Sequence, residues 1–300
     1  MKIFIPGFTD MGKSNPRIAI LSGKGGTGKT LVSVNLSAVS DDAAYVDCDV
    51  EEPNGHIFLK PEWTERMTVS TKLPLVDRDL CTGCRKCIDF CRFNALAYIA
   101  KRVVVFENVC HSCGGCSLVC PENAISEYDN PIGEIMSGWS GETKVYSGIT
   151  DIGVESGVPV IRQLLEEVRK EKGTVILDCP PGSSCSVMES IKDSDYCILV
   201  AEPSLFGAHN LRMVHHLAMT MGKSFGAILN KCGVDEDPSE RYCIENNIRI
   251  IGRIPFDMEL GRLNSNGIVA VRENEGYAAM FKEIFAALIS EVNNETASDT

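Results

Sequence analysis

Eight cysteines in this chain have the spacing of ligands for iron–sulfur clusters. They form two runs of the pattern C-x-x-C-x-x-C-x-x-x-C, and Pro121 follows the second run. Thiolates at this spacing hold [4Fe–4S] clusters, so two runs predict two clusters. Zinc is the alternative metal for clustered cysteines, although zinc sites rarely show two identical four-cysteine runs. The predicted metal ligands are Cys81, Cys84, Cys87, Cys91, Cys110, Cys113, Cys116 and Cys120.

The two cysteine runs also repeat each other, as CTGCRKCIDFCRFNAL and CHSCGGCSLVCPENAI. This repeat resembles the bacterial two-cluster ferredoxins, in which the fourth cysteine of one run binds the cluster of the other run. The resemblance implies one cluster on Cys81, Cys84, Cys87 and Cys120. It implies a second cluster on Cys91, Cys110, Cys113 and Cys116. Arg92 stands where the first run normally has proline, and this departure removes no ligand.

A glycine-rich segment upstream of the cysteines has the pattern of a phosphate-binding loop. Residues 23–30 read GKGGTGKT, which fits G-x-x-x-x-G-K-S/T. In such a loop the backbone N–H groups and the following helix N-terminus face the phosphates. We expect Lys29 to reach the β and γ phosphates and the Thr30 hydroxyl to bind Mg²⁺. The predicted nucleotide ligands are Gly23, Gly25, Gly26, Thr27, Gly28, Lys29 and Thr30.

A lysine directly after the first loop glycine, Lys24, makes the loop resemble a particular class of ATPases. These are the MinD/ParA/Mrp and nitrogenase iron-protein ATPases, which have a deviant phosphate loop. In that class the lysine reaches across a dimer to the partner's nucleotide, as an arginine finger supplied in trans does. The resemblance implies ATP as the nucleotide and a dimer that encloses it, formed by two copies or with a related chain. A solvated loop lysine is the alternative.

Two acidic segments resemble the nucleotide-sensing switches of the same class. In YVDCDVEEPN, Asp49 takes the place of the residue that orients the attacking water, and Asp47 would support Mg²⁺ indirectly. In VILDCPPGS, Asp178 would hold the Mg²⁺ shell. The first two aspartates have helix capping as their alternative role, and the two prolines after Asp178 also stop a strand.

Two residues near the C-terminal end fall where this class contacts adenine. They are Asn230, in ILNKCG, and Pro255, in GRIPFD. An asparagine side chain offers both donors and acceptors to a purine edge. A simple turn residue after a strand is the alternative for Asn230.

Cys185, in the segment SSCS, lies beyond the second predicted switch. The nitrogenase iron protein has a cluster ligand at a comparable distance from its own switch aspartate. The second ligand of such a bridging cluster has no counterpart in IGVESGVPVI, which contains no cysteine. Two Cys185 thiols across a dimer could therefore hold a metal or a transferred cluster, and packing in the core is the alternative.

The candidate site residues lie on or between predicted strands and helices, because apolar runs alternate with helical patterns along the chain. The predicted strands are 17–21, 43–48, 174–179, 196–201, 224–229 and 249–254, and the clearest predicted helices are 29–40, 158–171 and 276–292. The pattern predicts an α/β fold, the doubly wound, mostly parallel sheet of a P-loop NTPase, with an inserted α+β domain like a bacterial ferredoxin. The predicted domains are an extension (1–16), a discontinuous ATPase domain (17–66 and 132–292), the insert (67–131) and a polar tail (293–300).

Composition indicates in which compartment the protein works and which kinds of partner it has. The 300 residues are 44% hydrophobic and 23% charged, with 14 cysteines and a net charge of −12. No apolar run is long enough to span a bilayer, and the N-terminus lacks a signal-peptide pattern. Reduced cysteines in a cytoplasmic protein are therefore expected, without nucleic acid as a partner and without stable membrane association.

These features together predict an ATPase, converting ATP and water to ADP and phosphate, that also contains iron–sulfur clusters. The first functional hypothesis is ATP-gated electron transfer to a redox partner or another metalloprotein. The alternative is an ATP-dependent carrier or scaffold for cluster assembly. A spatial-positioning ATPase of the cell-division or partition kind is less favoured, because the cysteine insert would have no purpose there.

Overall fold

The computed structural model describes residues 16–40, 42–233 and 237–298. The extension predicted for residues 1–16 therefore lies outside the described residues, apart from Pro16. The strands are β1 (Arg17–Leu21), β2 (Ala43–Asp47), β3 (Glu62–Val76), β4 (Leu96–Ile99), β5 (Arg102–Val105), β6 (Ile125–Ser140), β7 (Thr143–Thr150), β8 (Thr174–Asp178), β9 (Tyr196–Ala201), β10 (Ser224–Cys232) and β11 (Ile250–Pro255). The helices are α1 (Lys29–Val39), α2 (Gly55–Leu59), α3 (Lys86–Phe90), α4 (Gly115–Leu118), α5 (Val158–Val168), α6 (Cys185–Ile191), α7 (Leu205–Thr220), α8 (Pro238–Glu245), α9 (Met258–Ser265), α10 (Ala270–Glu273) and α11 (Glu275–Ser298).

One large sheet organises the described chain. Its strand order is β11-β10-β9-β1-β8-β2-β7-β6-β3. Neighbours from β11 to β7 are parallel, whereas β6 pairs antiparallel with both β7 and β3. The predicted doubly wound, mostly parallel α/β fold is confirmed.

Helices cover both faces of this sheet, as its strand composition requires. Leu21, Val46 and Leu177 point to the layer formed by α5, α6 and α7. Ile18 and Ile20 point to the opposite layer, formed by α1 and α11. Successive side chains of a strand face opposite sides, so a strand between two helix layers is apolar throughout. The carboxyl ends of these parallel strands share one edge, where the loops after β1, β2, β8 and β9 meet.

The last helix is longer than predicted. The prediction ended it at residue 292, whereas α11 continues to Ser298, so that residues 293–298 of the predicted polar tail are helical. Buried Val292 anchors this end of the helix. Polar residues beyond it do not stop the helix, because each added residue of a formed helix gains another backbone hydrogen bond. Within the described residues no helix is long and apolar enough to cross a membrane.

Strands β3 and β6 form a long antiparallel hairpin that carries the cysteines. Pairing runs from Glu62 with Trp139 to Val76 with Ile125, with two register shifts, one between Trp63 and Glu65 and one between Val69 and Ser70. β7 pairs with β6 only over residues 133–140. Segments 70–76 and 125–131 therefore form a two-stranded stalk beyond the β7 pairing. The predicted insert borders, 66/67 and 131/132, fall inside these two strands, and the division into domains stays a prediction.

The segment between the stalk strands, residues 77–124, is called the cysteine region here. It contains α3, α4, a short 3₁₀ helix (Glu107–Val109) and the antiparallel pair of β4 and β5. Cys87 and Leu96 are buried there with Ile125 of the stalk. This core is small because most of the segment consists of loops and single turns around the thiols.

Candidate functional site

The glycine-rich loop has the backbone conformation that a phosphate-binding loop needs. Gly26 and Gly28 have left-handed φ angles of 79° and 98°, which favour glycine. A Cβ atom on Gly28 would also collide with the Asn230 side chain. Helix α1 starts directly after Gly28, so its free N–H groups and positive dipole end face the loop.

A cleft of about 650 Å³ opens beside this loop, which is in the range of small-ligand sites. Its wall brings together residues from the loop, the first predicted switch and the C-terminal strands. Predicted site residues in the wall are Lys24, Gly25, Gly26, Gly28, Lys29, Thr30, Asp49, Asn230 and Pro255. The predicted residues Gly23, Thr27, Asp47 and Asp178 are buried behind this wall. The structure also adds Phe256, Asp257 and Leu260, which the sequence analysis did not identify.

Lys29 and Asp178 form a buried ion pair. The Lys29 Nζ atom lies 2.5 Å from Asp178 Oδ1, and the Tyr45 hydroxyl donates to Asp178 Oδ2 at 2.8 Å. Burial by itself would lower the pKa of Lys29, but the attraction of Asp178 outweighs burial and raises it. Lys29 therefore stays charged, and its ammonium group is held at Asp178. Tyr45 was missed because its partner lies on another strand.

Asp47 and Asp49 occupy different environments although they are neighbours in sequence. Both oxygens of buried Asp47 accept backbone N–H groups, from Gly55 at 2.8 Å and from Asp49 at 3.2 Å. Burial, with the nearby charge of Asp178, raises the pKa of Asp47. Asp49 is half-buried, and burial, only partly offset by Lys29, raises its pKa to about 6. Of these two aspartates, Asp49 is the one that faces the cleft.

Lys24 is held by partners in its own chain. Its Nζ atom lies 2.6 Å from Glu202 Oε1 and 4.8 Å from the centre of the Phe206 ring. Lys231 pairs with the other Glu202 oxygen at 3.0 Å. Although burial alone would raise the pKa of Glu202, its two lysine partners lower it. Glu202 follows β9, which neighbours β1, so this contact depends on the order of strands in the sheet and has no local signal in the sequence.

Asn230 has a structural role in this conformation. Its Nδ2 atom donates to the Thr27 carbonyl at 2.7 Å, and its Oδ1 atom accepts the Lys231 N–H at 2.9 Å. The side chain thus ties the end of β10 to the phosphate-binding loop. One N–H of Nδ2 and one lone pair of Oδ1 stay available, and the predicted adenine contact stays a prediction.

The cysteine region holds its thiols around two separate cavities. We call them the first cradle, lined by Cys81, Cys84, Cys87 and Cys120, and the second cradle, lined by Cys91, Cys110, Cys113 and Cys116. These are the same two sets that the ferredoxin resemblance implies. Each cradle takes three thiols from one run and the fourth from the other.

The sequence repeat is also a repeat of backbone geometry. Arg85 and Gly114, equivalent in the two runs, both have left-handed φ angles, of 64° and 70°, immediately before α3 and α4. The fourth thiols accept backbone N–H groups at equivalent places: Ala95 N–H lies 3.4 Å from Cys91 Sγ, and Ala124 N–H lies 3.3 Å from Cys120 Sγ. Such donors stabilise the negative charge of a thiolate ligand.

The thiols of each cradle surround a space instead of converging on one point. Among the described residues, no group of three His, Cys, Asp or Glu side chains is placed to hold a single metal ion. A [4Fe–4S] cluster takes one thiolate on each of four irons, so its ligands stand apart around the cluster. The donor set and its spread fit such a cluster.

Cys185 lies away from both cradles. It is the first residue of α6, and its side chain is exposed, so it does not belong to the core. Of the remaining cysteines, Cys48, Cys179, Cys197 and Cys243 are buried, and Cys232 is half-buried. The four buried cysteines are small core residues, and Cys232 packs against the edge of the same core.

Comparison with known proteins agrees with this geometry. Residues 18–271 match the family described as the CobQ/CobB/MinD/ParA nucleotide binding domain. An uncharacterized protein of Methanocaldococcus jannaschii is 27% identical over 277 residues, 91% of this chain and 96% of that protein. The iron-sulfur cluster carrier protein of the same organism is 24% identical over 308 residues, 95% of this chain and 88% of that protein.

Among solved structures, the septum site-determining protein MinD of Pyrococcus horikoshii, complexed with Mg-ADP, has a similar fold. The TM-score is 0.57 at 19% identity, over 90% of this chain and 94% of that chain. At this identity the likeness concerns the fold alone. The family match, in contrast, spans most of the sequence and includes the phosphate-binding loop. This chain therefore belongs to the CobQ/CobB/MinD/ParA nucleotide-binding domain family.

Proposed function

We propose that this protein hydrolyses ATP and that its nucleotide state controls electron transfer through two [4Fe–4S] clusters. The observation that carries the proposal is a path of contacts from Asp47 to the ends of β3 and β6 that lie opposite the stalk. Asp47 accepts the N–H of Gly55, the first residue of α2, and β3 follows α2 directly. At the other end of α2, the Ser140 hydroxyl of β6 donates to the Leu59 carbonyl. Both stalk strands are therefore attached to a helix that contacts the nucleotide site.

The charged groups of the cleft support ATP hydrolysis. Lys29 would leave Asp178 to bind the β and γ phosphates, and Asp178 would then hold the Mg²⁺ shell together with Thr30. Asp49, which faces the cleft, would orient the attacking water, whereas both oxygens of Asp47 accept backbone N–H groups. Water attacks the γ phosphorus, the bond to the leaving ADP breaks, and phosphate is released. Catalysis rests on positioning and charge stabilisation.

Lys24 supports the participation of a second chain. In the conformation described, Glu202 holds it within its own subunit. In a dimer, Lys24 would leave Glu202 and pair instead with the phosphates of the ATP bound to the partner. ATP binding would thereby favour the closed dimer, either of two copies or with a related chain.

The two cradles support electron transfer. When bound, [4Fe–4S] clusters supply one-electron chemistry at low potential. The chain contributes four thiols to each cradle, and a backbone N–H at Cys91 and at Cys120. Cys87 and Cys116 lie deeper than Cys84 and Cys113, so each cradle has a protected side and an exposed side. An exposed side allows electrons to enter from a partner protein.

A cluster carrier is the second candidate function, and two observations favour it. Two relatives that align over most of this chain are named iron-sulfur cluster carrier proteins. In addition, the exposed Cys185 thiol stands at the start of α6, seven residues after Asp178. A carrier would load its cargo at such an exposed thiol, whereas the cradles would keep their own clusters.

Midpoint potentials, measured anaerobically by electron paramagnetic resonance, test the first proposal. The protein is compared with ADP and with a non-hydrolysable ATP analogue. We expect a potential shift of about 30 mV or more, a difference that an equilibrium coupling of ~0.7 kcal/mol would produce for one electron. Lys29→Ala is the control, and it should show the same potentials with both nucleotides.

Two other results would argue against electron transfer as the function. Identical potentials and line shapes in both nucleotide states, with both clusters intact, would rule out electron gating. Transfer of iron to an acceptor apoprotein that requires ATP and is lost in Cys185→Ser would establish the carrier function instead.

A further inference from the structure

A groove of about 780 Å³ runs along the cysteine region, between the end of β3 and strand β5. One wall is formed by residues 74–76, and the other by residues 100–105. Cys81 lines both this groove and the first cradle, and Pro74 lines both the groove and the second cradle. A molecule seated in the groove would therefore lie against both cradles.

The rim of this groove is positively charged. Arg78, Lys101 and Arg102 line it and are exposed. In the part of the chain that the structure describes, none of the three has an ion-pair partner. The acidic side chain on the groove, Glu107, accepts the Tyr128 hydroxyl at 2.9 Å. This concentration of unpaired cations contrasts with the chain as a whole, whose net charge is −12.

The floor and walls of the groove are apolar. Leu75 is 57% exposed, and Val103, Val104 and Val105 are half-buried. β5 is an edge strand, since the small sheet consists of β4 and β5. An apolar surface with a charged rim is the composition of a transient protein–protein interface. Its charge selects the partner and increases the association rate more than it increases final affinity.

We propose that this groove docks a redox protein whose surface is acidic around its own redox centre. The inference rests on the proposed electron-transfer function and names the partner class of that function. Charge complementarity selects an acidic partner, and the shared residue Cys81 makes the first cradle the point of exchange. Cys81, Cys84, Cys87 and Cys120 would hold a [4Fe–4S] cluster in the first cradle, and this cluster would supply a one-electron acceptor there. The reduced centre of the partner would be oxidised by one electron and this acceptor reduced by one, with no bond formed or broken.

Binding of an oxidised, acidic plant-type [2Fe–2S] ferredoxin, measured by titration calorimetry, tests the groove without electron transfer. The variant Arg78→Gln/Lys101→Gln/Arg102→Gln should bind this probe about tenfold more weakly, since each rim charge contributes modestly and the three act together. Wild-type affinity should also fall as salt is raised, because screening shortens the range of exposed charges.

The matched control removes three cations elsewhere. Lys172→Gln/Lys192→Gln/Lys282→Gln changes the net charge equally, and all three residues are exposed outside the groove. This control should bind the ferredoxin within about twofold of wild type, because distant exposed charges are largely screened. Equal weakening in both triple variants would show a general charge effect and overturn the docking site.

Failure of the docking proposal can be separated from failure of the proposed function. Wild type with both clusters and nucleotide-dependent potentials, but with unchanged binding in the groove variant, would overturn the groove alone. Absence of clusters or of nucleotide-dependent potentials would overturn the function, whatever the binding result. A wild-type self-association that the groove variant abolishes would assign the groove to a second copy of this chain and also overturn the proposal.

Discussion

The nucleotide cleft and the cysteine region are organised in opposite ways. In the cleft, ionised side chains already satisfy one another, since Lys29 pairs with Asp178 and Tyr45 donates to the same carboxylate. In the cysteine region, the thiols surround two cavities, and helices α3 and α4 have only five and four residues. Helices this short are unstable in water unless tertiary contacts or a ligand hold them. The cleft is therefore preorganised by the fold, whereas the cysteine region is expected to depend on the clusters proposed for it.

The two regions also differ in the elements that support them. The cleft lies at the ends of parallel strands buried between two helix layers, which hold side chains rigidly. The cysteine region stands on the two-stranded stalk and has a small core around Cys87 and Leu96. Changes in the cleft should thus affect chemistry with the fold retained. Changes in the cradles should affect local structure first.

Removal of thiols tests the dependence of the cysteine region on metal, and it has the largest expected effect. Cys81→Ser/Cys120→Ser removes two ligands of the first cradle, so iron should fall from about eight to about four atoms per chain. Cys110→Ser/Cys120→Ser also removes two thiols, but one from each cradle, and iron should be almost completely lost. Iron analysis measures both variants. Equal iron in the two would contradict the crossed pairing, and nucleotide affinity should change little in either.

A change of Lys29 tests the preorganised charge of the cleft. Lys29→Met should lower ATP hydrolysis by at least about 100-fold, because it removes a phosphate ligand that stabilises transition-state charge. It should also lower the free energy of unfolding by about 3 kcal/mol, since Asp178 is left buried and unpaired. Denaturant unfolding of the double variant Lys29→Met/Asp178→Asn is the control. It should recover much of the stability and none of the activity, and an equally unstable double variant would contradict the ion-pair explanation.

The pH dependence of hydrolysis tests the role of Asp49. Burial raises the pKa of Asp49 to about 6, so the group is protonated below this pH and ionised above it. A carboxylate that orients water must be ionised, so kcat/KM should fall about tenfold per pH unit as pH decreases below 6. Steady-state rates between pH 5 and 8 measure this decrease in kcat/KM. Asp49→Asn should hydrolyse ATP slowly and should not show the decrease. The same decrease in that variant would exclude Asp49 as the titrating group.

The smallest effect is expected at the contact that holds Lys24. Glu202→Gln removes the charge that pairs with Lys24 at 2.6 Å. The pair is partly exposed, so its loss should favour ATP-dependent dimerisation by only about two- to fivefold. Sedimentation with an ATP analogue measures this change. Lys24→Ala should abolish the dimer, and a weaker dimer in Glu202→Gln would show that Glu202 assists association.

Much of the candidate site could be predicted because its signals are local. The phosphate-binding loop, the acidic residues at the ends of β2 and β8 and the cysteine runs each depend on residues close together in sequence. Strand β9 has the predicted bounds, since a short apolar run between helical patterns defines a buried parallel strand by itself. The end of α11 was predicted too early because polar residues can continue a helix that is already formed.

The pairings inside the site could not be predicted. Tyr45 meets Asp178 only because β2 and β8 are neighbours, and Lys24 meets Glu202 only because β9 lies beside β1. Asn230 binds the phosphate-binding loop through a contact between residues 203 positions apart. The stalk likewise depends on pairing between β3 and β6 across the whole cysteine region. The sequence by itself determined which chemical groups this protein has and where buried strands such as β1, β8 and β9 begin. The tertiary structure decided which groups meet, because sheet order and register depend on packing of the entire chain and not on any local pattern.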